Sequence, residues 1–156
     1  MSADRIQHEL TIHAPIGVVW ELITEPEHIT AWFTDTVELE VRPGARGRLG
    51  WTDKATNRAA TVNVQVVELV EPHLFSFRWD FPDGADPDES NAPLVSFRLE
   101  EAGDSTRLTL VESGIAAVAR SEDATAAYYA DHEKGWPQFG RRLTEYVATI
   151  AATQAA

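Results

Sequence analysis

The sequence predicts an α+β domain in which a seven-stranded antiparallel sheet wraps one long C-terminal helix, with two short helices after the first strand. Three observations predict it. Apolar and polar residues alternate in seven short segments, the period of half-buried strands. Six of these follow one another closely, as antiparallel neighbours joined by hairpins do. After Gly114 the chain turns alanine-rich and its large apolar residues recur every three or four positions, as one face of a helix requires.

Ile6, His8, Leu10 and Ile12 alternate with Arg5, Gln7, Glu9 and Thr11 to form the first strand. Pro15 suits the first turn of a helix, where its missing N–H has no intrahelical partner. Val18, Val19, Leu22 and Ile23 give that helix an apolar side, and Thr24-Glu25-Pro26 ends it. A second helical turn is expected over Glu27 to Trp32. Val37, Leu39 and Val41 then mark a strand turned by Pro43-Gly44, and Gly47, Leu49 and Trp51 mark another. Between Thr61 and Val70 the alternation of Val62, Val64 and Val66 slips out of phase at Val67 and Leu69, which predicts a β-bulge.

Past Glu71-Pro72-His73, four aromatic residues, Phe75, Phe77, Trp79 and Phe81, alternate with Ser76, Arg78 and Asp80. Residues 82–93, acidic and rich in turn formers, are expected to be a flexible loop. Val95, Phe97 and Leu99, then Leu108 and Leu110, belong to two further strands joined through Ala102-Gly103-Asp104. Trp136, Phe139, Leu143, Tyr146, Val147 and Ile150 share one face of the last helix. Pro137 is expected near that helix's first turn or at a kink. No linker divides the chain, so residues 1–156 are expected to form a single domain.

Composition narrows the function. The net charge of -12 repels phosphate backbones and anionic membrane surfaces, which argues against nucleic acid and membrane partners. No apolar run nears the roughly 18 residues that span a bilayer, and the Met-Ser-Ala-Asp-Arg start lacks a signal-peptide pattern, so a cytoplasmic location is expected. Without cysteine there is no disulfide, thiolate zinc site or thiol nucleophile. The histidines, at 8, 13, 28, 73 and 132, include no pair at helical ligand spacing, so no metal is expected. No G-x-G-x-x-G, phosphate loop or G-x-S-x-G elbow is present, and no cofactor is expected.

With five Trp, six Phe and three Tyr, the chain has aromatic material beyond what a core needs. Four large rings in one strand row are hard to close-pack against a single helix, so Phe75, Phe77, Trp79 and Phe81 are expected to line an apolar ligand cavity. Trp20, Trp51, Phe97, Trp136 and Phe139 are assigned to the same lining. His132 stands four residues before Trp136 and shares its helix face, which makes it a candidate polar contact; bracing the helix start would look the same. His8 reads as a core or rim histidine. Glu112 continues the side of Thr106, Leu108 and Leu110, and either ends in the pocket as a carboxylate of raised pKa or emerges at the strand's exposed end. No catalytic residue is assigned.

Two motifs carry a family resemblance. Ala14-Pro15-x-x-Val18-Val19-Trp20-x-x-Ile23-Thr24 follows a strand, with Trp32-Phe33 soon after, and His132-Glu133-x-Gly135-Trp136-Pro137-x-Phe139-x-x-x-Leu143 opens the last helix. In order and spacing they resemble the SRPBCC or START-like superfamily, and within it the homologues of the activator of heat shock protein 90 ATPase. The resemblance implies the helix-grip fold and a cavity between sheet and helix for lipids, sterols, polyketides or similar molecules. It also implies a range of activities, among them carriers, cyclases and chaperone cofactors with a role in stress response. The function expected first is binding of an apolar or amphipathic small molecule to carry, sequester or sense it. A polyketide cyclase or aromatase-like enzyme is the second expectation, and a chaperone-directed ATPase activator the third.

Overall fold

Strand β1 (Arg5–Ile12) leads into α1 (Ile16–Thr24) and α2 (Pro26–Trp32). Strands β2 (Thr36–Glu38), β3 (Arg46–Asp53), β4 (Arg58–Val70), β5 (Leu74–Trp79), β6 (Leu94–Ala102) and β7 (Ser105–Ser113) follow, and α3 (Glu122–Ala155) ends the chain. The structure is a computed structural model that describes residues 4–155, with side chains to residue 150. All ladders are antiparallel, in the order β1-β7-β6-β5-β4-β3-β2. Strands β2 to β7 thus form a meander, β1 is added beside β7, and the two short helices carry the chain from one sheet edge to the other.

The predicted bulge is present: the β4–β5 register shifts between Val66 and Glu68, leaving Val67 unpaired and 42% exposed. The strand expected over Val37, Leu39 and Val41 is shorter than predicted, because its ladder ends at Glu38. A Cβ on Gly47 would stand 2.0 Å from the Glu38 carbonyl oxygen and 2.9 Å from Leu39 Cα. The backbone therefore passes tightly over a residue that has no side chain, and leaves the sheet there. Leu39 and Val41 still pack against the core.

The last helix starts earlier than the sequence predicts. Ser121 caps it, its Oγ accepting the Ala124 N–H at 3.1 Å and its carbonyl the Thr125 N–H at 3.0 Å. Glu122 and Asp123 follow in the first turn, where negative charge suits the helix dipole. The motif from His132 to Leu143 thus lies inside the helix rather than opening it. Pro137 is interior too, so the Glu133 carbonyl lacks the N–H it would have received. The helix is held on the sheet by buried Trp136, Gly140, Leu143 and Val147. At Gly140 a Cβ would meet His8 Nε2 and Leu10 Cδ1 at 3.3 Å, so α3 presses closely on β1.

Residues 82–93 contain no strand or helix, and they are tied down at several points. Arg46 pairs with Asp86, Asn63 Nδ2 donates to Asp83 at 2.8 Å, and Arg78 donates to the Ala92 carbonyl at 2.8 Å. The core beneath α1 and α2 is closely filled. Phe97 meets Phe75 and Phe77 edge-on at 5.9 and 5.6 Å between centroids, and Trp32 packs beside it at 6.0 Å. The void left among Phe33, Phe75, Phe77 and Phe97 is about 10 Å³, room for one water at most.

Candidate functional site

A cleft of about 230 Å³ lies where the N-terminal half of α3 meets the far ends of β3, β4 and β5. Its walls are Trp51 from β3, Val62 from β4, Trp79 from β5, and Gly135, Trp136 and Phe139 from α3; Asp80, Asp131 and His132 stand around them. The four large rings form a closed circuit. Successive centroids are 6.1 Å apart for Trp51–Trp79, 5.5 Å for Trp79–Trp136, 5.8 Å for Trp136–Phe139 and 6.4 Å for Phe139–Trp51. Phe33, buried behind them, touches all four at 4.9 to 6.0 Å. Alternation along β3 and β5 and the i, i+3 spacing on α3 bring these rings to one place.

Beneath this circuit is Glu112, with no exposed surface. It continues the inward side of β7 after Thr106, Leu108 and Leu110, all buried. Each of its oxygens receives two hydrogen bonds. Oε1 accepts from His132 Nδ1 at 2.7 Å and Trp136 Nε1 at 2.9 Å; Oε2 accepts from Tyr128 Oη at 2.6 Å and Trp79 Nε1 at 2.9 Å. Four acceptor sites are thus filled by four donors, the full capacity of a carboxylate.

Burial by itself would push the Glu112 pKa up. The hydrogen bond and charge of His132, with the bonds from Tyr128 and Trp136, outweigh it and hold the pKa below its ordinary value. Glu112 is therefore ionised at neutral pH and acts only as acceptor, which puts the proton of the His132 bond on Nδ1 and leaves Nε2 as the free ring nitrogen. Burial, then the negative charge and hydrogen bond of Glu112, raise the Tyr128 pKa, so the phenol stays a donor. Tyr128 is stacked between His132, at 3.8 Å between centroids, and the Arg120 guanidinium, 4.2 Å from its ring. Arg120 also faces Asp80 at 3.7 Å. Partial burial raises the Asp80 pKa, and Arg120 opposes that shift.

The expected lining residues divide into two groups. Trp51, Trp79, His132, Trp136 and Phe139 line the cleft, whereas Trp20, Phe75, Phe77 and Phe97 lie in the packed core. Phe81 stands apart from both: β5 ends at Trp79, Asp80 takes a φ of 60°, and Phe81 turns into a polar hollow beside Arg46 and Asn63. His8 packs against Gly140. Of the two outcomes open for Glu112, the structure has the buried one, with the pKa shifted downward rather than up. Tyr128 and Phe33 belong to the site although neither is assigned to it from the sequence. The i, i+4, i+8 series Tyr128, His132, Trp136 carries the signal for Tyr128. Glu25, Glu27 and His28 bring ligand atoms within 4.8 Å of one another, but His28 Nδ1 is bonded to Tyr146 Oη at 2.7 Å and both carboxylates face solvent.

A meander closed on one long helix is the helix-grip architecture. Solved structures agree. Over 94% of this chain, DynU16, a protein of the dynemicin biosynthetic locus, superposes with a TM-score of 0.73 at 24% identity. This chain spans 48% of the length of DynU16. CalU16 from Micromonospora echinospora matches over 96% of this chain and 79% of its own, at 19% identity and a TM-score of 0.67. Aha1 from Colwellia psychrerythraea, solved as a dimer, matches over 92% of this chain and 95% of its own, at 16% identity and a TM-score of 0.70. The family model described as Activator of Hsp90 ATPase homolog 1-like protein matches residues 13–148, and the chain belongs to that family. No curated protein sequence matches it. Among the described residues no helix is long and apolar enough to cross a membrane.

Proposed function

We propose that this protein binds a small apolar or amphipathic molecule in the cleft between Trp51, Trp79, Trp136 and Phe139. The observation that carries the reading is open space over a circuit of aromatic rings. At Gly135 a Cβ would meet nothing within 4 Å, although a mid-helix glycine is about 1 kcal/mol less favourable than alanine. A volume of about 230 Å³ is below the roughly 300–1,000 Å³ of drug-sized sites, so it suits one ring or the ring end of a longer molecule. An outer groove shares Trp51 and continues past Lys54, Arg58 and Arg142, where such a molecule's remainder has room. Burying apolar surface supplies the affinity, at about 25 cal/mol per Å² before ordering costs.

The test uses the protein's own tryptophans, three of which line the cleft. A panel of aromatic and acyl-chain compounds is titrated while Trp emission and melting temperature are followed. A ligand at 100 times its Kd adds about 2.7 kcal/mol to stability. Gly135→Leu, which fills the cleft, abolishes both signals. A panel that changes neither signal, or a Gly135→Leu protein that responds as wild type does, defeats the reading.

A second reading, an acid–base enzyme of the cyclase or aromatase kind, is favoured by one observation, the Glu112–His132 bond. A carboxylate that fixes one imidazole nitrogen leaves the other available for proton transfer. It stands second because Glu112, saturated by four donors, is itself closed to a substrate. The likeness to DynU16 from a biosynthetic locus is compatible with both readings. A chaperone-directed role rests on the family description alone: the exposed large apolar residues, Val18, Val67 and Val70, are few among the described residues.

A further inference from the structure

The polar groups of the cleft are not balanced between donors and acceptors. All three indole N–H groups that could face a ligand are turned away from it: Trp79 and Trp136 donate to Glu112, and Trp51 donates to the Phe33 carbonyl at 2.7 Å. What remains toward the open space is aromatic ring surface, the carboxylates of Asp80 and Asp131, and His132. No Lys or Arg is in the lining. Asp80 has a partner in Arg120, at 3.7 Å, while Asp131 forms no ion pair among the described residues and is exposed. Such a lining disfavours an anion, which finds two carboxylates and no indole N–H, with His132 the one ring able to donate to it.

It favours a cation. A positive charge is attracted to the face of Trp above all, within about 6 Å of the ring centroid, and a circuit of rings 5.5 to 6.4 Å apart brings several into that reach at once. Two guanidiniums of this chain already use aromatic rings in this way: Arg142 lies 5.9 Å from the centroid of Phe139, itself a cleft ring, and Arg120 lies 4.2 Å from that of Tyr128 beside the cleft. Donation of the Trp79 and Trp136 N–H groups to an ionised carboxylate adds electron density to those two rings, which strengthens the attraction. From this geometry we infer that the cleft selects an organic ammonium, an alkylated amine whose methyl groups fill the apolar volume while Asp80 and Asp131 face its charge.

The inference rests on the ligand-binding reading above and adds the charge of the ligand to it. Choline and its neutral isostere 3,3-dimethylbutan-1-ol separate the two claims, because they share shape and hydroxyl and differ only in charge. Titrations are run at constant 0.15 M salt, since a protein of net charge -12 attracts cations to its whole surface. Choline is expected to bind roughly tenfold tighter than the alcohol. Asp131→Asn together with Asp80→Asn should lower that preference, and a preference unchanged in the double variant overturns the part assigned to the two carboxylates. Asn tolerates the left-handed backbone at position 80, and position 131 is an exposed helix site, so neither change strains the backbone. Gly135→Leu should abolish choline binding. Equal affinity for the pair, or no binding of either while aromatic compounds still bind, overturns the cationic assignment and leaves the cleft reading intact. Choline binding that survives Gly135→Leu overturns it as well, as surface association. If nothing on either panel binds, both claims fall.

Discussion

Replacing Glu112 with glutamine exchanges one oxygen for an NH₂ group and leaves the side chain's shape unchanged. If the NH₂ replaces Oε2, the Tyr128 hydroxyl can turn to accept from it, but the Trp79 N–H has only a donor to face. With the amide reversed, His132 can move its proton to Nε2 and accept at Nδ1, and the Trp136 N–H is then the one left over. Either orientation strands one buried indole N–H, which costs about 1–3 kcal/mol, and removes charge assistance from three other bonds at roughly 1 kcal/mol each. Relief of the buried charge offsets part of this. The net expectation is a loss of about 3 kcal/mol, a large share of the 5–15 kcal/mol typical of a domain. For a chain of this length that lowers Tm by about 6–12 °C. Equilibrium urea unfolding followed by Trp emission should show a lower midpoint with unchanged slope. A variant within about 0.5 kcal/mol of wild type would refute the account of Glu112 as the electrostatic centre of the site.

The same carboxylate sets an acid limit. Its folded pKa lies below the ordinary 4.5, so its contribution is present above that pH and is lost as pH falls through the folded value. Asp80, whose pKa is raised, acts in the opposite direction and moderates the slope. Melting curves between pH 5 and 3 should therefore fall more steeply for wild type than for Glu112→Gln, and parallel curves would count against the assignment. Two glycines of α3 should respond differently to alanine. Gly135→Ala places its Cβ in open space and should stabilise the protein by up to about 1 kcal/mol, whereas at Gly140 a Cβ meets His8 Nε2 and Leu10 Cδ1 at 3.3 Å, so that their displacement offsets some or all of the same gain. Urea midpoints of the pair check this, and a gain at Gly140 equal to or larger than that at Gly135 contradicts the described fit of α3 against β1.

Local pattern was enough for the order and type of every element. Period-2 alternation marks each strand, the phase slip at Val67 marks the bulge, and the i, i+4 relation of His132 and Trp136 puts both on the face that meets Glu112. Two motifs, Ala14 to Thr24 and His132 to Leu143, carried the family resemblance, which the match over residues 13–148 bears out. What pattern could not separate was core from cleft, because Phe75, Phe77 and Trp79 share one strand face and look alike in sequence. Tertiary packing decides between them. Phe97 meets the first two edge-on and Phe33 leaves a void of only about 10 Å³ beside them, while above Trp79 the helix presents Gly135 and leaves a gap. Alternation likewise allows Glu112 to face inward but is silent about its charge. That was settled by four donors, one from β5 and three from α3, distant in sequence from Glu112 on β7 and converging on its carboxylate. The end of β2 at Glu38 was a tertiary decision too, made by a close backbone crossing at Gly47, whereas the start of α3 at the Ser121 cap is a local signal that the sequence carries. Sequence alone determined the elements and the family. The position of the open space, and the charge beneath it, required the three-dimensional meeting of residues that no local period relates.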